Sequence, residues 1–124
     1  MSSSAIMAII KQKEAELQKL KVTKVQVSKV NDAVDCMSYK FKNAGNLISE
    51  AGTIAGMPID NGATSVVAGD FKKLSSNTQG VLTEITGTIA SLEAEITSLY
   101  AEYQAALARE AEEAARLAAA KKRR

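Results

Sequence analysis

Few side chains in this sequence could do chemistry, and its one thiol is the first of them. The 124 residues contain a single cysteine, Cys36, and no histidine. Histidine is the commonest general base and metal ligand, and one cysteine forms neither an intramolecular disulfide nor a thiolate metal site. With no basic residue nearer than Lys40, Cys36 is expected to be an inert thiol, the alternative being an intermolecular disulfide. The sequence therefore predicts no enzyme, no cofactor and no metal site.

A cluster of cations at residues 121–124 could contact nucleic acid or anionic lipid, both of which reward grouped positive charge. No aromatic residue is interleaved with it, and Glu110, Glu112 and Glu113 come shortly before it. A solvated helix end is therefore the expected role, with no nucleic-acid partner. The tyrosines Tyr100 and Tyr103 are expected to be packing residues with a solvated hydroxyl, the alternative being partner recognition.

Two long helices, predicted from the apolar pattern, would position these groups. Apolar residues alternate at steps of three and four on both sides of one break, as on one face of a helix. We predict helix 1 over about residues 4–56 and helix 2 over about 64–122. The first stripe is Val27, Val30, Val34, Met37, Phe41, Ala44, Ile48, Ala51 and Ala55, and the second is Val67, Phe71, Leu74, Thr78, Val81, Leu82, Ile85, Ile89, Leu92, Ile96, Leu99, Tyr103 and Leu107.

The break at about residues 57–63 is the only place where proline, aspartate, asparagine and glycine cluster. The expected turn residues are Gly56, Pro58, Asp60 and Gly62. Glycine suits a helix end and proline prevents helix 1 from continuing. Three serines at positions 2–4 offer capping oxygens at the other end of helix 1.

Two long helices joined by a short turn predict an all-α fold, an antiparallel, coiled-coil-like two-helix hairpin forming a single domain over residues 1–124. The charges support this pairing. Residues 11–29 hold six lysines against two glutamates, +4, whereas residues 84–113 hold seven acids against one arginine, −6. With the turn near residue 60, residues 11–29 are expected beside about 91–109, and opposed charge should favour that antiparallel register.

Small residues recur every seventh position of helix 2, at Gly80, Gly87, Ala94, Ala101, Ala108 and Ala115. This stripe either lies under helix 1 or in solvent, or forms a groove for a partner helix. The apolar run 5–10 is too short for a secretory signal and has no basic residue before it, and no membrane-spanning stretch is present. We expect a chain that is cytoplasmic when synthesised, with no stable membrane insertion, and that leaves the cell only by a signal-peptide-independent route.

Three short segments carry a resemblance to a known family. They are Leu47-Ile-Ser-Glu-Ala-Gly-Thr-Ile-Ala-Gly-Met-Pro-Ile-Asp-Asn-Gly62, Leu82-Thr-Glu-Ile and Ile96-Thr-Ser-Leu-Tyr100. With the hairpin, they resemble the small WXG-type proteins of type VII secretion systems, and among these the helical partners of LXG toxins in Gram-positive bacteria. The resemblance implies a protein that binds the helical N-terminal LXG domain of a toxin as a hetero-oligomer and helps to target it for export.

Two family features are missing. The turn has no Trp-x-Gly, and no tyrosine begins a Tyr-x-x-x-Asp/Glu export motif, since Tyr100 is followed by Gln104 and Tyr103 by Leu107. The resemblance then implies an export signal that is shared with a second small helical partner or lies on the toxin.

A two-helix hairpin buries only one side of each helix, so we expect partner binding by the apolar stripe of helix 2. The expected residues are Ile85, Ile89, Leu92, Ile96, Leu99, Tyr103 and Leu107. A self-assembling structural coiled coil would use the same stripes, and a membrane-active amphipathic hairpin is a third possibility.

Overall fold

Two α-helices make up nearly all of the protein. The computed structural model describes residues 1–57 and 59–123, with helices α1 (Ser3–Ala55) and α2 (Gly62–Lys122). The helices pack against each other and no strand occurs among the described residues, which confirms the all-α helical hairpin. Pro58, one of the expected turn residues, and Arg124 lie outside the described residues. Neither helix has, within its described residues, a stretch long and apolar enough to cross a membrane.

The chain divides into two compact units. We call Met1–Lys21 with Gly87–Arg124 the terminal unit, and Val22–Thr86 the turn unit. Each contains a segment of both helices.

Ser2 caps the beginning of α1. The backbone amide of Ala5 donates to Ser2 Oγ at 3.2 Å, and that of Ile6 donates to the Ser2 carbonyl oxygen at 3.0 Å. The first amides of a helix have no partner inside it, so a serine at this place supplies the missing acceptors. Of the three serines expected to cap the helix, Ser2 does so.

Gly56 ends α1 in a left-handed conformation, with φ at +68°. The amide of Met57 donates to the Gly52 carbonyl oxygen at 3.0 Å, and that of Gly56 to the Thr53 carbonyl oxygen at 3.3 Å. These two bonds form a Schellman motif, which satisfies the last carbonyl groups of a helix and favours glycine at the left-handed position.

Asp60 and Asn61 begin α2. The Asp60 carboxylate accepts a hydrogen bond from the Gly62 amide at 2.8 Å. Asn61 Nδ2 donates to the Gly45 carbonyl oxygen at 3.1 Å and to Ser49 Oγ at 2.7 Å, and so joins the start of α2 to α1. Gly56 and Asp60 lie between the two helices, and Gly62 is the first residue of α2.

Gly52 and Gly87 allow a matched test of this turn. A Cβ at position 52 would lie 2.9 Å from the Met57 carbonyl oxygen, whereas a Cβ at position 87 would meet nothing within 4 Å. We expect Gly87→Ala to raise the free energy of unfolding by about 1 kcal/mol through helix propensity. Gly52→Ala should lower it by about 1–3 kcal/mol because backbone must move. Urea denaturation measures both, and equal stabilisation by the two variants would refute the close contact.

Buried and half-buried residues of the terminal unit recur at alternating steps of three and four, the a and d positions of a heptad. Ile6, Ile10 and Ala106 form the buried cluster, with Met7, Leu99 and Tyr103 packed against it. On α1 the a and d residues are Ser3, Ile6, Ile10, Lys13, Leu17 and Leu20, and on α2 they are Ile89, Leu92, Ile96, Leu99, Tyr103, Ala106 and Glu110.

The turn unit follows the same heptad phase, but much of its seam is polar or glycine. Successive a positions of α1 are Lys24, Asn31, Ser38, Gly45 and Gly52, and the d positions are Val27, Val34, Phe41 and Ile48. The facing residues of α2 are Asn61, Thr64, Ala68, Phe71, Ser75, Thr78, Leu82 and Ile85.

Side-chain hydrogen bonds and one aromatic pair hold the seam of the turn unit. Buried Ser75 donates a hydrogen bond to the Asp35 carboxylate and lies 3.3 Å from Asn31 Oδ1. Phe41 stacks on Phe71 with ring centroids 5.7 Å apart. Buried polar partners of this kind can fix register at some expense of stability.

The predicted apolar stripe of α1 is wrong at four positions. Ala51 and Ala55 are exposed near the end of the helix, and Val30 and Met37 are exposed further back. Asn31 and Ser38 take the places of these last two in the seam. The reason is that α2 hydrogen-bonds to this side of α1, where Ser38 Oγ donates to the Ala68 carbonyl oxygen at 3.1 Å. Hydrogen bonding and small residues therefore decide which of two apolar stripes is buried.

The predicted register is wrong in both units. In the terminal unit, the expected pairing of residues 11–29 with about 91–109 places Lys13 opposite residue 107, yet Lys13 Nζ lies 2.9 Å from Glu95 Oε2. In the turn unit, a turn near residue 60 places Phe41 opposite residue 79, yet Phe41 stacks on Phe71. The connection runs back along α1, since Ile59 lies beside Gly52 and Asn61 binds Gly45. Helix α2 therefore begins level with Gly45 rather than with the end of α1.

Candidate interaction site

Most of the expected partner-binding residues lie in the seam of the protein's own hairpin. In the terminal unit, Leu92 and Ile96 are buried, Ile89 is half-buried, and Leu99 and Tyr103 pack against the buried cluster. Leu107 is exposed, and Ile85 is half-buried in the turn unit. Their partner-binding role stays a prediction, and an intact hairpin would present chiefly Leu107 to another protein.

Salt bridges join the lysine-rich and acidic segments of the terminal unit, as the charge pattern predicts. Lys13 Nζ lies 2.9 Å from Glu95 Oε2, and Lys21 Nζ lies 3.6 Å from Glu93 Oε1. The hydrogen bond and charge of Glu95 raise the pKa of Lys13. Such exposed pairs contribute little stability individually, so their effect is mainly on pairing direction.

Tyr100 uses its hydroxyl inside the terminal unit. The Tyr100 hydroxyl donates to Glu14 Oε1 at 2.6 Å, and this bond raises the pKa of Tyr100. Tyr100 is exposed, and its hydroxyl binds Glu14 across the hairpin, so the packing residue with a solvated hydroxyl expected at this position is not found.

Glu110 has a structural role that the sequence did not indicate. Its carboxylate accepts hydrogen bonds from the Ser3 amide at 2.9 Å and from the Ser3 hydroxyl at 2.6 Å, and these bonds lower the pKa of Glu110. Next to it, Arg109 Nη2 donates to the Met1 carbonyl oxygen at 2.9 Å. An acid from α2 thus supplements the cap of α1, and no local pattern could reveal partners 107 positions apart.

An apolar flank borders the seam of the turn unit on one side. It consists of Val30 and Met37 on α1, and Leu74 and Val81 on α2, which are 53%, 38%, 48% and 45% exposed. All four are heptad g positions, one place before an a position. Because the helices run antiparallel, the g positions of both helices border the same side of the seam. The contacts of Ser75 with Asp35 and of Phe71 with Phe41 place the four residues at similar heights along the seam. We call these four residues the apolar flank.

On the side of the seam opposite the apolar flank, every heptad e position of the turn unit is polar. These residues are Ser28, Asp35, Lys42 and Ser49 on α1, and Ser65, Lys72, Gln79 and Thr86 on α2. The seam of the turn unit therefore has an apolar side and a polar side, and an exposed apolar patch commonly marks a protein-binding surface.

No protein-family model, curated protein or solved structure matches this chain. Among the described residues, no group of three or more histidine, cysteine, aspartate or glutamate side chains could hold a metal ion. Cys36 is an exposed free thiol.

The stripe of small residues on α2 faces away from α1. In the terminal unit, Gly87, Ala94, Ala101, Ala108 and Ala115 are all exposed. They occupy the heptad f position, which lies opposite the seam. Gly80 of the turn unit is likewise exposed, and a Cβ there would meet nothing within 4 Å. Of the alternatives for this stripe, a place under helix 1 is excluded, while solvent and a partner helix stay open.

Proposed function

We propose that this protein is a non-enzymatic helical partner that binds the helical N-terminal LXG domain of a toxin and helps to target it for type VII export. The observation that carries the proposal is the apolar flank of the turn unit. Its four apolar side chains are substantially exposed, whereas the seam beside them consists largely of polar residues and glycine. The resemblance of the segment 47–62 to LXG partner proteins supports the choice of partner.

The apolar flank suits a partner helix because its four apolar side chains form a row, with two on α1 and two on α2. A helix that presents apolar residues at spacings of three and four could lie along the row and exclude water from it. Each half-exposed side chain would contribute about 25 cal/mol per Å² of apolar area removed from water, before ordering costs. A third helix would thus add apolar contacts beside a seam in which the polar residues Asn31 and Ser38 provide none.

We expect Met37→Glu with Leu74→Glu to weaken binding of the N-terminal LXG domain of an LXG toxin by roughly 100-fold or more. Two carboxylates would have to be desolvated in the interface, and central interface residues commonly contribute 2 kcal/mol or more each. Isothermal titration calorimetry of the full chain against that LXG domain measures the loss.

The matched control is Tyr39→Glu with Val66→Glu, again one residue from each helix. Tyr39 and Val66 are 71% and 64% exposed and lie on heptad positions away from the apolar flank. This pair should bind like the unmodified chain, and circular dichroism should show both pairs folded. Unchanged affinity in the Met37 and Leu74 pair would refute the proposed surface, and failure of the unmodified chain to bind would refute the partner.

A self-assembling structural protein is the second candidate, because the apolar flank could also take a second copy of this chain. Light scattering of the chain alone separates the two. A discrete homo-oligomer that Met37→Glu with Leu74→Glu dissociates would favour self-assembly, whereas a monomer favours the toxin partner.

A further inference from the structure

A groove lies on the polar side of the turn unit, opposite the apolar flank. Its volume is about 340 Å³, and both helices contribute to its walls. The lining includes Ser38, Lys42, Asn46, Ser65, Gly69 and Lys72.

Small residues of the seam line the base of this groove. They are Gly45 and Ala68, and the helices lie close together there, since a Cβ at position 45 would be 2.8 Å from Thr64 Oγ1. The polar groups at the base already have partners, because Ser38 Oγ donates to the Ala68 carbonyl oxygen and Asn61 Nδ2 donates to the Gly45 carbonyl oxygen. The groups left to bind something else are therefore on the walls.

The walls carry positive charge without a compensating acid. Lys42 and Lys72 are the charged residues of the lining, which contains no aspartate or glutamate. Within residues 1–57 and 59–123, neither lysine forms a salt bridge, in contrast to Lys13 and Lys21 of the terminal unit. Two ammonium groups from the two helices, with the Ser65 hydroxyl and the Asn46 amide in the same lining, offer hydrogen-bond donors to an anionic group.

We propose that this groove binds carboxylate groups of an acidic protein segment. Lysine ammonium groups make charge-assisted hydrogen bonds to carboxylates, and Ser65 and Asn46 add neutral donors for the remaining lone pairs. Lys42 and Lys72 come from different helices, so adjacent carboxylates of one segment can each meet one ammonium. The site lies on a different side of the turn unit from the apolar flank and does not depend on the toxin partner.

Titration of the isotope-labelled full chain with a synthetic tetraglutamate peptide tests the site. We expect saturable NMR shifts of the Ser65 and Gly69 amides, which weaken as salt is added. Lys42→Gln with Lys72→Gln should reduce the affinity roughly tenfold or more, since two charge-assisted bonds are lost. The exposed side chains make unfolding of this variant unexpected, and circular dichroism checks it.

Lys40→Gln with Lys73→Gln is the control, because it removes the same charge from residues outside the groove lining. This pair should keep the affinity of the unmodified chain within about twofold, as expected for distant screened charges. Equal weakening by both pairs would overturn the proposal in favour of a general charge effect. It would also be overturned by an absence of saturable shifts, or by saturation with inorganic phosphate but not with the peptide.

Discussion

Replacing Ile96 and Leu99 together with glutamate should unfold the terminal unit. Ile96 is 9% exposed, and Leu99 packs against the cluster of Ile6, Ile10 and Ala106. Two carboxylates placed among aliphatic side chains would have no hydrogen-bond donor or cation to compensate their lost hydration. We expect a loss of at least about 4 kcal/mol in the free energy of unfolding, the range typical of uncompensated buried charge. Urea denaturation followed by circular dichroism measures it.

The two residues between them form the matched control. Thr97 and Ser98 are exposed, and Thr97 Oγ1 donates only to the Glu93 carbonyl oxygen of its own helix. Thr97→Glu with Ser98→Glu should change the free energy of unfolding by no more than about 1 kcal/mol, the sum of two surface substitutions. If both pairs of substitutions are tolerated equally, the heptad seam assigned to α2 is wrong. A loss of partner binding in the Ile96 and Leu99 pair would report unfolding, so it cannot locate an interface.

The helices and the turn could be predicted because their signals are local. Long alternation of steps of three and four identifies each helix, and the cluster around Asp60 marks the break. Three of the four helix ends differ from expectation by one or two residues, and the end of α2 at Lys122 agrees with it. Those ends depend on particular capping bonds, such as the one from the Ala5 amide to Ser2.

The choice of buried stripe on α1 could not be predicted from hydrophobicity. Val27, Val34 and Phe41 belong to two stripes, one continued by Val30 and Met37 and the other by Asn31 and Ser38. Hydrophobicity favours the first, but hydrogen bonds from Ser38 and Ser75 to groups across the seam form only with the second. The apolar flank exists because the second stripe is the one buried. Val30 and Met37, which the sequence predicts to be core residues, are therefore exposed as part of the apolar flank.

The partner-binding residues predicted on α2 show the same limit of prediction from hydrophobicity. An apolar stripe indicates that something covers it, but it does not say whether the cover is α1 or another protein. In the terminal unit α1 covers Leu92 and Ile96, whereas in the turn unit Leu74 and Val81 stay exposed. The heptad position separates these cases, since Leu92 and Ile96 occupy d and a positions whereas Leu74 and Val81 occupy g positions beside the seam.

Ile10→Ala should cost about 2–5 kcal/mol of the free energy of unfolding, the usual loss when a fully buried isoleucine is truncated. Ile10 is 0% exposed and lies at the centre of a cluster whose only other buried members are Ile6 and Ala106 among the described residues. With few neighbours available to collapse into the space, the cavity should persist and the loss should lie in the upper part of that range.

Ile54→Ala is the same substitution at an exposed site of the same helix, since Ile54 is 83% exposed. Alanine has the higher helix propensity, so this variant should be neutral or slightly more stable, by up to about 0.5 kcal/mol. Opposite signs for one substitution at two places on α1 would show that the stability of the terminal unit comes from the Ile6, Ile10 and Ala106 cluster. Equal losses would mean that Ile54 is covered in solution, as it would be if a second copy of the chain packed against the end of α1.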